Sequence, residues 1–250
     1  MYVEPTHPVV GIENADARGR FVLVVDHASN SVPPQYGTLG LPEAELERHI
    51  AWDPGALPVA RTMARELDAA LVASKVSRLV IDTNRQAGDV DLVAEVSETT
   101  VVPGNRSLDR SELSHRLDQF HAPFHAAIEA LIDCRLARAQ PTALVAVHTF
   151  TPVYKGISRP WDVGILFDDD DRLALPMIEA LRRETGLVIG VNQPYAPVDR
   201  VYTTLDLHGR SRGLPCVMIE IRNDRVATPA DQLAWGRRLA HALPVLPAGA

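Results

Sequence analysis

The chain is short of the features that mark secreted, membrane or nucleic-acid-binding proteins. It has only 2 cysteines, Cys134 and Cys216, without motif spacing, so no disulfide framework or cysteine metal knuckle is available. Reduced, buried thiols are the expectation. No apolar run approaches the roughly 20 residues that span a bilayer, and no membrane partner is expected. The opening MYVEPTHPVVGIENADARGR has no basic stretch followed by an apolar one, so no leader is expected and the cytoplasm is the expected compartment. A basic excess is missing too. The net charge of −7 argues against nucleic acid as partner, yet a local arginine cluster can still hold a small anion. There is no internal repeat or low-complexity segment, and no Gly-x-Ser-x-Gly elbow surrounds Ser29 or Ser31.

What is present reads as an α/β protein. Hydrophobic residues make up 46% of 250, enough for a sizeable core. Apolar, β-branched runs at 21–26, 71–73, 79–81, 143–147, 163–167, 187–191, 199–205 and 215–221 predict strands. Helices are predicted over 42–50, after Asp53-Pro54, from Asp109 through Leu131, over 171–184 and over 229–241. Asp53 has the character of an N-cap with Pro54 at the first helical position. Asp109 with Glu112 resembles a capping box, and Pro123 should kink the long helix. Residues 86–108 have no period and predict a long loop. Strands and helices alternate without a composition break. The expectation is therefore an N-terminal arm, 1–20, and a single α/β domain, 21–245, with a mixed, mostly parallel sheet flanked by helices.

In such sheets ligands lie beyond the carboxyl ends of the strands. Three runs stop there at chemistry-bearing residues: Val25-Asp26 at His27, Val147 at His148, and Ile219 at Glu220. A fourth, 78–83, runs into Asn84 and Arg85. Neutral imidazole is the commonest zinc ligand, and catalytic zinc keeps three protein ligands, so His27 and His148 are the candidate pair. The third ligand is open among Asn30, three residues after His27, and Asp53 and Asp26. Glu220, flanked by isoleucines, is costly to bury unless paired or catalytic, which suits a general base. Arg78, Asn84 and Arg85 offer a guanidinium fork and a directed amide for a carboxylate or a developing oxyanion. Tyr202, His208 and Arg222 are further candidates to line the pocket. His121 and His125 have metal spacing without an accompanying glutamate, so packing is expected of them. Asp168 to Asp171 stand before a helix, where acidic residues complement its dipole.

Taken together, Asp26-His27-Ala28-Ser29-Asn30, Trp52-Asp53-Pro54-Gly55-Ala56, Arg78 with Asn84-Arg85, Val147-His148-Thr149 and Glu220-Ile221-Arg222-Asn223-Asp224 resemble the N-formylglutamate amidohydrolase family over about Phe21 to Leu239. The resemblance implies a zinc-carboxypeptidase-like fold, Zn2+ on His27 and His148, and Glu220 as general base. It also implies Arg78 at the oxyanion and Asn84 with Arg85 on the substrate carboxylate. Asp-His-Ala-Ser stands here where characterised members tend to have Pro-His-Ser-Gly, and Asn30 where carboxypeptidase-like relatives have Glu. The expected reaction is hydrolysis of a small anionic N-acyl amino acid, N-formyl-L-glutamate first, in a histidine-degradation setting. A carboxypeptidase or deacylase of other specificity and a non-catalytic dicarboxylate-binding module are the alternatives, and a homo-oligomer is left open.

Overall fold

Short apolar runs that are buried on both faces become the central strands. The computed structural model describes residues 9–244 and joins seven strands into one sheet. They are β1 (Val10–Glu13), β2 (Phe21–Val25), β3 (Ala70–Ser74), β4 (Ala143–Phe150), β5 (Val163–Leu166), β6 (Ile189–Val191) and β7 (Cys216–Arg222). Their spatial order is β1-β3-β2-β4-β7-β5-β6. The inner four, β3, β2, β4 and β7, run parallel. β1 lies antiparallel on β3, while β5 lies antiparallel on β7 and carries β6 parallel to itself. The architecture is a single mixed α/β domain with a mostly parallel sheet.

Alternation along the strands sorts the core into two layers. Leu23, Val25, Leu71, Val145, Val147 and Ile219 face α1 (Ala56–Leu67), α4 (Ala174–Arg182) and α6 (Pro229–Ala242). Val22, Val24, Val72, Leu144, Ala146 and Met218 face α3 (Ala122–Ala137) and α5 (Thr203–His208). α2 (Arg110–Arg116), capped by Asp109, leads into a π-helical turn, Leu117–His121, and then α3. The wider π turn lies directly before α3, and Pro123 sits in that helix's first turn.

Several sequence expectations are corrected here. Residues 10–13 of the arm form β1, and 1–8, like Val245 at the other end, lie outside the described residues. Of 42–50 only Glu43–Leu46 is helical. Residues 79–81 are not a strand. They follow a turn closed by Val80 N–H on Ser77 O (2.9 Å) and fill a third apolar cluster with Leu39, Ile50, Leu92 and Val102. The loop 86–108 contains a small paired ribbon, Val96–Ser97 with Thr100–Val101. Residues 197–199 form a 3-10 turn, and α5 takes the place of the strand expected over 199–205. α1 begins at Ala56 behind Gly55, whose φ of 86° suits glycine, and no side chain caps it. Asp53 is thus released from capping.

Candidate active site

Three parallel strands deliver the site. β2 ends one residue before Asp26 and His27, β4 carries His148, and β7 places Glu220 in register beside His148. The turn ahead of α1 brings in Asp53, whose N–H bonds His27 O at 2.9 Å. Its carboxylate Oδ2 lies 2.9 Å from His148 Nδ1 and 3.4 Å from His27 Nδ1. Ligand atoms of His27, Asp53 and His148 all fall within 4.8 Å of one another, and all three residues are buried.

The far side of each imidazole is fixed as well. His27 Nε2 donates to Asp82 Oδ1 at 2.7 Å, and His148 Nε2 donates to Asp26 Oδ2 at 3.1 Å. A proton held on Nε2 leaves the Nδ1 lone pair facing the shared space, which is how second carboxylates orient metal-ligating histidines. His27 Nδ1 is buried and makes no hydrogen bond among the described residues. Two imidazole nitrogens and a carboxylate are the donor set of a three-ligand zinc site, and the orphaned Nδ1 fits that group. Thr204 Oγ1 donates to the other oxygen of Asp26, and Arg78 bridges Asp53 (3.4 Å) and Asp82 (3.2 Å).

Burial pulls the His148 imidazolium down, but its bonds to Asp26 and Asp53 outweigh this and hold it well above its usual pKa. His27 is raised in the same way, burial and Arg78 being overcome by Asp82 and Asp53. Burial would raise Asp53 and Asp82, yet the imidazoles, with Arg78 beside Asp82, hold both low. Glu220 goes the other way. Burial pushes it up to about 7 against the attraction of His148, and its Oε2 has no partner. His49, four residues before Asp53, is pushed by burial down to about 4 and is neutral. These groups line a cavity of about 130 Å³ with Arg78, Asn84, Arg85, Tyr154 and Tyr195.

A family model for N-formylglutamate amidohydrolase matches residues 19–227. The chain belongs to the N-formylglutamate amidohydrolase family. It is similar to the solved gene product Atu2144 from Agrobacterium tumefaciens, with 42% identity, 93% of this chain and 92% of that one covered, and a TM-score of 0.91. An N-formylglutamate amidohydrolase from Ralstonia eutropha JMP134 shares the fold at 17% identity, with 94% and 95% covered and a TM-score of 0.73. No curated protein matches the sequence significantly. Among the described residues no helix is long and apolar enough to cross a membrane.

In this N-formylglutamate amidohydrolase-family chain, four of the residues singled out in the sequence lie away from the cavity. Asn30 spends its amide on Leu46 O (3.1 Å) and Glu47 Oε1 (3.2 Å), and it is Asp53 that groups with His27 and His148 as a set that could hold a metal ion. Tyr202 is buried with its hydroxyl 3.9 Å from Cys216 Sγ, on the α5 side of the sheet. Arg222, two residues past Glu220, pairs instead with Asp224 (2.8 Å) and Asp162 (3.5 Å). His208 donates to His125 Nδ1 at 2.9 Å. His125 Nε2 in turn donates to Thr83 O, and His121 Nε2 to Arg85 O, both at 2.9 Å. These histidines brace the loop 82–85 from behind. Asn84 reaches the cavity wall, but its amide serves Val201 O and Thr204 N–H. Arg85 lines the cavity, anchored on Asp199 O and Arg200 O.

Asp82 and His49 were not among the sequence candidates. Asp82 sits two residues before Asn84 in a run that resembled a strand, and His49 has the i, i+4 spacing to Asp53 that could have exposed it. Asp26 alternates away from His27 and so meets His148 on the adjacent strand.

Proposed function

We propose that this chain is a zinc-dependent amidohydrolase that cleaves the acyl amide of a small anionic N-acyl amino acid, with N-formyl-L-glutamate the best candidate. The observation that carries this reading is the facing trio of His27 Nδ1, His148 Nδ1 and the Asp53 carboxylate, backed by Asp82 and Asp26. His27, Asp53 and His148 would hold the cation. When bound, it polarises the scissile carbonyl and acidifies the attacking water.

Glu220, unpartnered and poised near neutrality, accepts a proton as water adds to the acyl carbon, then passes it to the leaving amine nitrogen. The products are the free acid and the amino acid. Arg78, held against the cavity wall by Asp53 and Asp82, offers N–H donors to the acyl oxygen as negative charge develops on it. Arg85 positions a substrate carboxylate, which fixes the angle of attack. The binding-module alternative drew on Asn30 in place of an acidic ligand, and the Asp53 carboxylate beside the two imidazoles favours the enzyme reading over it.

The test is to strip the purified protein with a chelator, reload it with Zn2+, and follow amine release from formyl, acetyl and succinyl glutamate and from dipeptides. Zinc-restored cleavage of the formyl compound supports the proposal. A zinc-loaded, folded protein that opens none of these amides refutes it.

A further inference from the structure

Among the described residues three imidazole nitrogens are buried without a hydrogen bond: Nδ1 of His27, of His49 and of His208. That of His27 faces the space it shares with Asp53 and His148. His208 stands behind the loop 82–85, paired with His125, and is not part of the cavity wall. His49 does line the cavity. It lies outside the group of His27, Asp53 and His148, and the reaction described above gives it no task. A buried polar atom left without a partner is costly, so one kept in a cavity wall needs a physical reason.

The reason lies in how the two oxygens of Asp53 are sorted. Oδ2 is turned to His148 Nδ1 (2.9 Å), His27 Nδ1 (3.4 Å) and Thr149 N–H (3.3 Å). Oδ1 is turned the other way, to His49 Nδ1 and Arg78 Nη1, both at 3.4 Å. Arg78 divides its guanidinium between this oxygen and Asp82. An imidazole nitrogen beside a carboxylate is favoured as an N–H, because two facing lone pairs repel. At 3.4 Å the contact is about 0.4 Å longer than an ordinary N–H···O bond, a gap that a small turn of either side chain closes. The backbone holds His49 in place for this. Ala51 N–H bonds Arg48 O at 3.0 Å, and Ala51 O accepts from the Arg78 backbone N–H (3.2 Å) and from Ser77 Oγ (2.8 Å). We propose that His49 is a positioning residue of the metal site: its Nδ1–H takes Asp53 Oδ1, which leaves Oδ2 as the oxygen offered to the cation. Ligating carboxylates are themselves hydrogen-bonded in this manner, and the partners weigh on metal affinity.

This inference rests on the zinc-binding reading of the site and not on which amide is cleaved. Two substitutions tell the ring nitrogens apart. An Asn amide reaches the place of Nδ1, whereas the longer Gln amide reaches that of Nε2. Zinc affinity is measured on the metal-free parent, His49→Asn and His49→Gln by competition with a chromophoric chelator. His49→Gln should bind zinc about 10- to 100-fold more weakly than the parent, and His49→Asn should recover most of that loss. A folded His49→Gln variant that binds zinc as tightly as the parent overturns the assignment. So does a folded His49→Asn variant that loses as much as His49→Gln, the pattern of a residue that merely fills space, or more, the pattern of one that acts through Nε2. Should either variant fail to fold, nitrogen-detected NMR of the parent decides. A proton on His49 Nδ1 supports the proposal, and a bare Nδ1 overturns it. If the parent takes up no zinc, the metal reading fails by itself, and the same Nδ1 signal still decides whether His49 holds Asp53.

Discussion

Replacing Asp82 by Asn tests the site through a residue that touches no candidate metal position. Oδ1 of Asp82 accepts from His27 Nε2 (2.7 Å) and from Asn84 N–H (2.9 Å), and Oδ2 accepts from Arg78 Nη2 (3.2 Å). Every neighbour is a donor, so an amide NH2 has no acceptable orientation. Pointed at Arg78, it sets donor against cation. Turned over, it meets His27 and Asn84, and His27 must move its proton to Nδ1, the nitrogen that faces Asp53. Removing a carboxylate behind a metal-ligating histidine costs about 10- to 100-fold in metal affinity, which is about 1.4 to 2.7 kcal/mol. Breaking a buried ion pair costs about 3 to 5 kcal/mol, discounted here to about 2 to 3 because the Arg78 side chain is 25% exposed. For a chain of this size that is a fall of about 5 to 10 °C in Tm. Zinc affinity is read by competition with a chromophoric chelator, and Tm on the metal-free protein. A folded Asp82→Asn variant that binds zinc within about two-fold of the parent, short of the expected loss, would refute the tautomer argument.

Glu220→Gln should keep zinc and lose turnover. It should also stabilise the metal-free protein at alkaline pH. The folded pKa of Glu220 is raised from 4.5 to about 7, so its contribution is fully present below pH 4.5 and lost as pH rises through about 7. Gln cannot ionise, and the variant should exceed the parent by up to about 3 kcal/mol above that window and match it below; urea midpoints on both sides check this, and the same difference at both rejects it. Zinc affinity should fall with pH, because His27 and His148, raised by their carboxylates, must shed protons to bind. Calorimetry in buffers of different ionisation enthalpy would then show proton release, and none would contradict the assignment. At Gly164, beside Glu220 in the sheet, a Cβ would meet the backbone Gln193 O at 2.0 Å. Gly164→Ala should cost about 3 kcal/mol of stability, and a loss under about 0.5 kcal/mol, ordinary for a surface change, would show that the close approach relaxes freely.

The central strands were legible because burial on both faces writes continuous apolar runs, as in Phe21–Val25 and Cys216–Arg222. His27, His148 and Glu220 could be picked out because each stands where such a run stops. Asp53 was ambiguous for a local reason. Asp before Pro is so good a helix start that capping competes with ligation, and only the tertiary fold shows that its carboxylate meets two imidazoles and caps no helix. Leu79–Ile81 resembled a strand because a loop buried in its own cluster has the composition of one. Val201 to Thr204 have β-branched and aromatic character, yet Thr203 and Thr204 begin α5, where tertiary packing overrides propensity. Asp82, one residue past Leu79–Ile81, had no local pattern to announce it.

β1 pairs with β3 along Val10 to Glu13, and behind it β3 is buried over all of Ala70–Ser74. Without that short cover, β3 would present a flat row of unsatisfied amides and carbonyls flanked by apolar side chains, a template for strand-to-strand aggregation. Trimming the chain to begin at Gly19, where the matched family segment starts, removes this guard while leaving every cavity residue in place. The resulting protein would be limited by solubility rather than by chemistry.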